Sequence, residues 1–92
     1  MVTVSESAKR VLKAILVATE TDRVHGLRLM PDLTGNFVTL LDTELPRDLV
    51  IEHEGRKVLL IGIEYLRMLS NKTIDCQDTE EGAVLFVRDS YN

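Results

Sequence analysis

Apolar residues at Ala8, Val11, Leu12, Ile15 and Leu16 recur at alternating spacings of three and four, which places them on one face of a helix spanning residues 5–18. Ser5 suits the N-cap, because its side-chain oxygen can accept from an orphan N–H of the first turn. Thr3 with Glu6 three residues later is a rival start of the capping-box type. Lys9, Arg10 and Lys13 fall on the opposite face and read as solvated charge. A polar connection, "ATETDRVHG", leads into a strand opening at "LRLM" and a second strand, "NFVTLLD". In the second strand Phe37, Thr39 and Leu41 point one way and Val38, Leu40 and Asp42 the other, since strand side chains alternate. Between the two strands, "MPDLTGNF" carries Pro31, Asp32, Thr34 and Gly35, residues that turn a chain.

Beyond the "TELPRD" loop, "LVIEH" reads as a third strand and "EHEGRK" as a hairpin turn, with Gly55 free to take a positive φ. "KVLLIG" is apolar on both faces, the pattern of a central, doubly covered strand ended by Gly62. "IEYLRMLSN" reads as a short second helix with Ile63, Leu66 and either Leu69 or Met68 inward and Asn71 as its stop. "TIDCQ" and "GAVLFVRD" are two further strands joined by a "DTEEG" turn. Hairpin-length connections dominate, so the class is α+β, mostly β, with mainly antiparallel short strands, an N-terminal helix and a second short helix. The expected core is Leu12, Ile15, Leu29, Leu40, Val58, Leu60, Leu66 and Leu85. The 92 residues are read as a single domain, 1–92.

The composition narrows the function. A net charge of −4 and a pI near 5.1 match neither phosphate neutralisation nor a polybasic membrane contact. No apolar run approaches a membrane span, and the N-terminus lacks the pattern of a signal peptide. The expectation is a cytoplasmic protein that engages no nucleic acid and no membrane. Cys76 is the one cysteine and forms no internal disulfide, in keeping with a reducing compartment.

The order of elements, taken with particular residues, resembles the HesB-like, or A-type iron–sulfur carrier, family. The resemblance runs through "VTVSESAKRVLKAIL", "HGLRLMPD", "DLVIEHEGRKVLLIGIEYLRMLSNKTIDC" and "EGAVLFV". It rests on the capped first helix with Ala8, the "GLRL" strand, the acidic run Asp48, Val50, Glu52 and Gly55, and the Glu81–Gly82 pair before the last strand. It implies a small HesB-like β-sandwich and an association with iron–sulfur cluster biogenesis. It also implies three cysteine ligands, one in a Gly-, Ser- and Cys-rich loop after the "GLRL" strand and two in a Cys-x-Cys motif near the C-terminus. Here the loop is the shorter "MPDLTGNF", without cysteine, and Gly35 alone keeps its usual composition. After the last strand the sequence reads "RDSYN", with no Cys-x-Cys. No ligand position carries over.

Cys76 shares a strand face with Ile74 and reads as a small core hydrophobe. Neighbouring Asp75 and Asp78 would raise its thiol pKa if close in space. Clusters are usually held by four thiolates, or by two Cys and two His in Rieske-type centres. Cys76 with His25 or His53, doubled across a homodimer, is therefore the alternative metal set. His53 is expected at an exposed hairpin tip, and His25 at the start of a strand. The neighbours within "EHE", Glu52 to Glu54, point in different directions and do not converge on an ion. No nucleophile–base grouping or phosphate-cradling loop is present in the pattern. The expectation is a non-enzymatic interaction or regulatory module with no cofactor, engaging an unknown protein partner, with a homodimer left open. The alternative is an iron or iron–sulfur carrier using non-standard or partner-supplied ligands.

Overall fold

The computed structural model describes residues 1–34 and 36–90. Gly35, the one residue of the "MPDLTGNF" loop that matches the resembling family's composition, lies outside the described residues. The elements run β1 (Thr3–Val4), α1 (Glu6–Ala18), β2 (His25–Pro31), β3 (Phe37–Thr43), β4 (Leu49–His53), β5 (Arg56–Ile61), α2 (Ile63–Leu66), β6 (Lys72–Thr79) and β7 (Gly82–Asp89).

Ser5 is the N-cap of α1: its backbone is extended and its Oγ accepts from the Ala8 N–H at 3.1 Å. The rival start at Thr3 is excluded by pairing, because Thr3 lies in β1 opposite Thr73 of β6. The same Ser5 hydroxyl donates to Asp75 Oδ1 at 2.6 Å, and the Ser5 N–H donates to the Ile74 carbonyl at 2.9 Å. The cap therefore fastens the helix start to β6 as well as satisfying its own first turn.

Among the described residues, seven strands form two mixed sheets, one ordered β1-β6-β7 and the other β3-β2-β5-β4. The pairs β2/β3, β4/β5 and β6/β7 are antiparallel, as hairpin-length connections predict. The pairs β1/β6 and β2/β5 are parallel. The β4–β5 turn places Glu54 at φ 52° and Gly55 at φ 79°, the two successive left-handed residues that a tight hairpin uses. Asn71, at φ 62°, ends the segment after α2 as its position suggests.

The inner stripe of α1, Ala8, Leu12 and Leu16, packs with Leu27, Leu29, Val58, Leu59 and Ile61 of one sheet and Val4 and Ile74 of the other. Burying each of the larger side chains contributes roughly 1.5–3 kcal/mol, which makes this shared core the main stabilising element. β5 lies inside its sheet, and Val58, Leu59, Leu60 and Ile61 have no exposed area, the doubly covered strand expected from "KVLLIG". Leu12, Leu29, Val58 and Leu60 are buried as expected, and Leu66 and Leu85 are half-buried.

Ile15 and Leu40 correct the expected core, being 41% and 54% exposed. Ile15 sits at the edge of the α1 stripe. Leu40 lies on β3, which has a neighbour on one side only. In the segment 63–71 it is Leu69 that is buried, while Ile63 and Met68 are exposed, because the helix ends at Leu66 and turns follow.

Candidate functional site

In the loop after β2, the described residues Thr34 and Asn36 gather on the Asp32 side chain. Asp32 Oδ1 accepts from the Thr34 N–H at 2.8 Å, the Thr34 hydroxyl at 2.7 Å and the Asn36 N–H at 3.0 Å. The Asp32 N–H donates to the Asn36 carbonyl at 2.7 Å, and Asn36 Nδ2 donates to Thr34 Oγ1 at 3.2 Å. The β2–β3 ladder then continues without a register shift from Pro31↔Phe37 to His25↔Thr43.

Cys76 lies in β6 opposite Leu85, half-buried and packed against the core. It reaches a shallow cavity of about 360 Å³ lined with Ser7, Arg10, Val11, Ala14 and Asp78. Burial pushes the thiol pKa above its ordinary value, the charges of Asp75 and Asp78 push it further, and Arg10 opposes them. The thiol is thus protonated at neutral pH, the opposite of what a nucleophile needs.

The two histidines lie elsewhere. His25 opens β2, and its Nδ1 is 2.7 Å from Asp22 Oδ1. That carboxylate also accepts from the N–H groups of Val24 and His25. The contact with the imidazole is the main reason its pKa lies below the ordinary value. His53 corrects the expectation of an exposed tip. It is the last residue of β4, paired with Arg56, and its side chain is only 14% exposed. Its ring lies 3.9 Å from Glu6 Oε2 and 3.7 Å from Glu54 Oε1. Cys76 and His53 belong to different sheets, and His25 to a third strand. Among the described residues, no three His, Cys, Asp or Glu side chains gather into a set that could hold a metal ion.

A polar centre that the pattern of residues did not single out lies around Arg28. Arg28 is 8% exposed, and its guanidinium donates to Asp42, to both carboxylate oxygens of Asp48 and to the Thr43 carbonyl. Asp48 Oδ2 also accepts from the Leu45 N–H at 2.7 Å. The hydrogen bonds from Arg28 hold the Asp48 carboxyl below its ordinary pKa and raise that of Arg28. These bonds tie the loop between β3 and β4 to the face of β2. The group lines a cleft of about 300 Å³ with Leu45, Ile63, Glu64 and Tyr65, but the guanidinium is already neutralised by two carboxylates and offers that cleft no free charge.

An N-terminal helix packed across a three-stranded and a four-stranded mixed sheet is the architecture of the small HesB-like fold, and this chain has that fold. It is similar to a crystal structure of IscA with the 2Fe–2S cluster, with a TM-score of 0.65 at 17% identity over 97% of this chain and 85% of that one. It is similar as well to the crystal structure of Escherichia coli SufA, described as involved in biosynthesis of iron–sulfur clusters (TM-score 0.68, 18% identity, 96% of this chain and 84% of that one). A solution NMR structure of a protein from Aquifex aeolicus gives a TM-score of 0.71 at 16% identity, over 95% of this chain and 89% of that one. No protein-family model matches the sequence, and no curated protein matches it. At these identities the likeness carries the fold. The donor set of this sequence does not fit a four-thiolate cluster: it supplies one thiol, Cys76, and the loop after β2 has none.

Proposed function

We propose that this chain is a non-catalytic interaction or regulatory module built on a HesB-like fold, without cluster ligands of its own, working in the setting of iron–sulfur cluster biogenesis. The observation that carries the reading is the loop after β2. Thr34 and Asn36 bond to Asp32, the loop has no thiol, and its strands still pair without a register shift. A fold kept intact around a loop without a thiol serves recognition. The likeness to IscA and SufA supplies the biological setting by analogy.

Anaerobic reconstitution with iron and sulfide tests this, with the visible spectrum recorded beside a Cys76→Ala variant and a true carrier as positive control. No protein-bound chromophore is expected from either form. A chromophore in the wild type that disappears in Cys76→Ala would overturn the proposal in favour of a carrier with non-standard or partner-supplied ligands.

A further inference from the structure

The two sides of β2 are covered differently. Leu27 and Leu29 face the core beneath α1, so Arg28 and Met30 point to the outer side of the sheet, because strand side chains alternate. Leu60, the register partner of Arg28 on β5, is buried outside that core. The loop between β3 and β4 and the start of α2 cover only part of this outer face, and the cleft of about 300 Å³ beside Arg28 lies between them. Its apolar lining is Met30, Leu45, Pro46, Ile63 and Tyr65, of which Leu45 and Ile63 are more than half exposed. Leu40, opposite Arg28 on β3, extends the exposed apolar surface.

The charges of this cleft do not balance. Asp42 and Asp48 are occupied by Arg28. Glu64 is exposed and has neither a hydrogen bond nor an ion pair from its side chain among the described residues. Three carboxylates against one guanidinium leave two negative charges here, half of the chain's net charge of −4. Arg47 and Arg67 are exposed, and neither lines the cleft nor pairs with Glu64 among the described residues.

An apolar lining with an excess of negative charge selects its occupant. A second copy of this chain, a nucleic acid or an anionic bilayer brings negative charge to a negative cleft. A small polyamine has no bulky apolar group to cover Leu45 and Ile63. A lysine or arginine side chain lays its aliphatic stem along apolar surface and carries its charged head beyond it. An apolar neighbour in the same segment covers the rest. The volume of about 300 Å³ stands at the lower end of the roughly 300–1,000 Å³ of ligand sites, which suits a few side chains of a short segment.

From these observations we infer that the cleft between the β3–β4 loop and α2 is a docking site for a segment of a partner protein in which basic side chains stand beside apolar ones. The inference rests on the interaction-module reading and deepens it by naming the surface and the chemistry of the partner. The probe is a capped hexapeptide of alternating lysine and leucine, titrated into the isotope-labelled full chain at low and at physiological salt. Amide shifts should centre on Met30, Leu45 and the segment from Ile63 to Tyr65, and the affinity should fall as salt rises. Glu64→Lys should weaken binding about tenfold or more, since it sets like charges against each other. Leu45→Ser, at an exposed loop position, should also weaken it and provides a second variant should the first unfold the protein. A hexapeptide with glutamate in place of lysine should leave the spectrum unchanged. A wild type whose spectrum does not respond at millimolar peptide would overturn the inference. So would shifts centred elsewhere, equal affinity in a folded Glu64→Lys, or spermine binding the same cleft as tightly as the peptide. None of these results bears on the reconstitution spectrum, which tests the ligand-free reading separately.

Discussion

Arg28 grips Asp48 with both arms of its guanidinium: Nη1 donates to Oδ1 at 3.0 Å and Nη2 to Oδ2 at 2.6 Å, with the side chains 10% and 2% exposed. A two-pronged ion pair taken out of water is costly to break from one side, although Asp42 and the Thr43 carbonyl would still hold part of the guanidinium. Asp48→Ala should therefore destabilise the fold by about 1.5–3 kcal/mol, the range for a lost hydrogen bond to a charged group. The double change Arg28→Met with Asp48→Leu should recover much of that loss, since neither charge remains to be solvated. Urea unfolding of the three forms checks the coupling.

The same carboxylate sets a pH dependence. Its folded pKa lies below the ordinary value of 3.8, mainly through the Arg28 hydrogen bonds. The stabilisation it provides is complete above that ordinary value and disappears as pH falls through the lower folded value. Asp75, lowered chiefly by the Ser5 hydroxyl, acts in the same direction. The wild-type melting temperature should fall steeply below about pH 4, and the fall should be shallower in Asp48→Asn.

Ser5 serves both α1 and β6. Ser5→Ala removes the acceptor for the Ala8 N–H and the donor to Asp75 together. The expected loss is about 1–2 kcal/mol, at the upper end for an N-cap. Ser5→Ala in an Asp75→Asn background should cost measurably less, and a double-mutant cycle on the denaturation midpoints would show whether it does.

The core and the rim should separate cleanly. Leu60 has no exposed area, and its truncation to alanine should cost roughly 2–5 kcal/mol. Leu40→Ala, at a position 54% exposed, should fall within about 0.5 kcal/mol of wild type. An unchanged thermal midpoint in Leu60→Ala would contradict the buried placement of β5.

Cys76 should be a sluggish thiol. Burial and two neighbouring aspartates hold it protonated, so its alkylation by iodoacetamide at neutral pH should be slower than that of free cysteine, and should approach the free rate in denaturant. Fast labelling of the folded protein would contradict this environment.

How much of this was legible in the chain depends on how local the cause is. The Ser5 cap, the turn at Glu54 and Gly55 and the two-faced burial of Val58 to Ile61 follow from neighbours in sequence, and they were readable. Ile15 keeps helical spacing with Leu12 yet is half in solvent, because periodicity defines a face without saying where its cover ends. β1 is two residues long and pairs with a strand far along the chain, so no periodicity marks it. His53 lies two residues before Gly55, which suggests a hairpin tip, whereas the approach of α1, with Glu6 near its ring, covers it. The Arg28 centre had one readable signal, a lone charge inside the apolar "GLRL" strand, which must find a partner if its strand is buried.

The parallel pairing of Thr3 with Thr73, reinforced by the bond from Ser5 to Asp75 across 70 positions, has a consequence for biosynthesis. During translation the first strand and the helix cap have no docking place until β6 has left the ribosome. The opening segment must therefore wait, unpaired, while most of the polypeptide is made, and closing so long a loop slows the search.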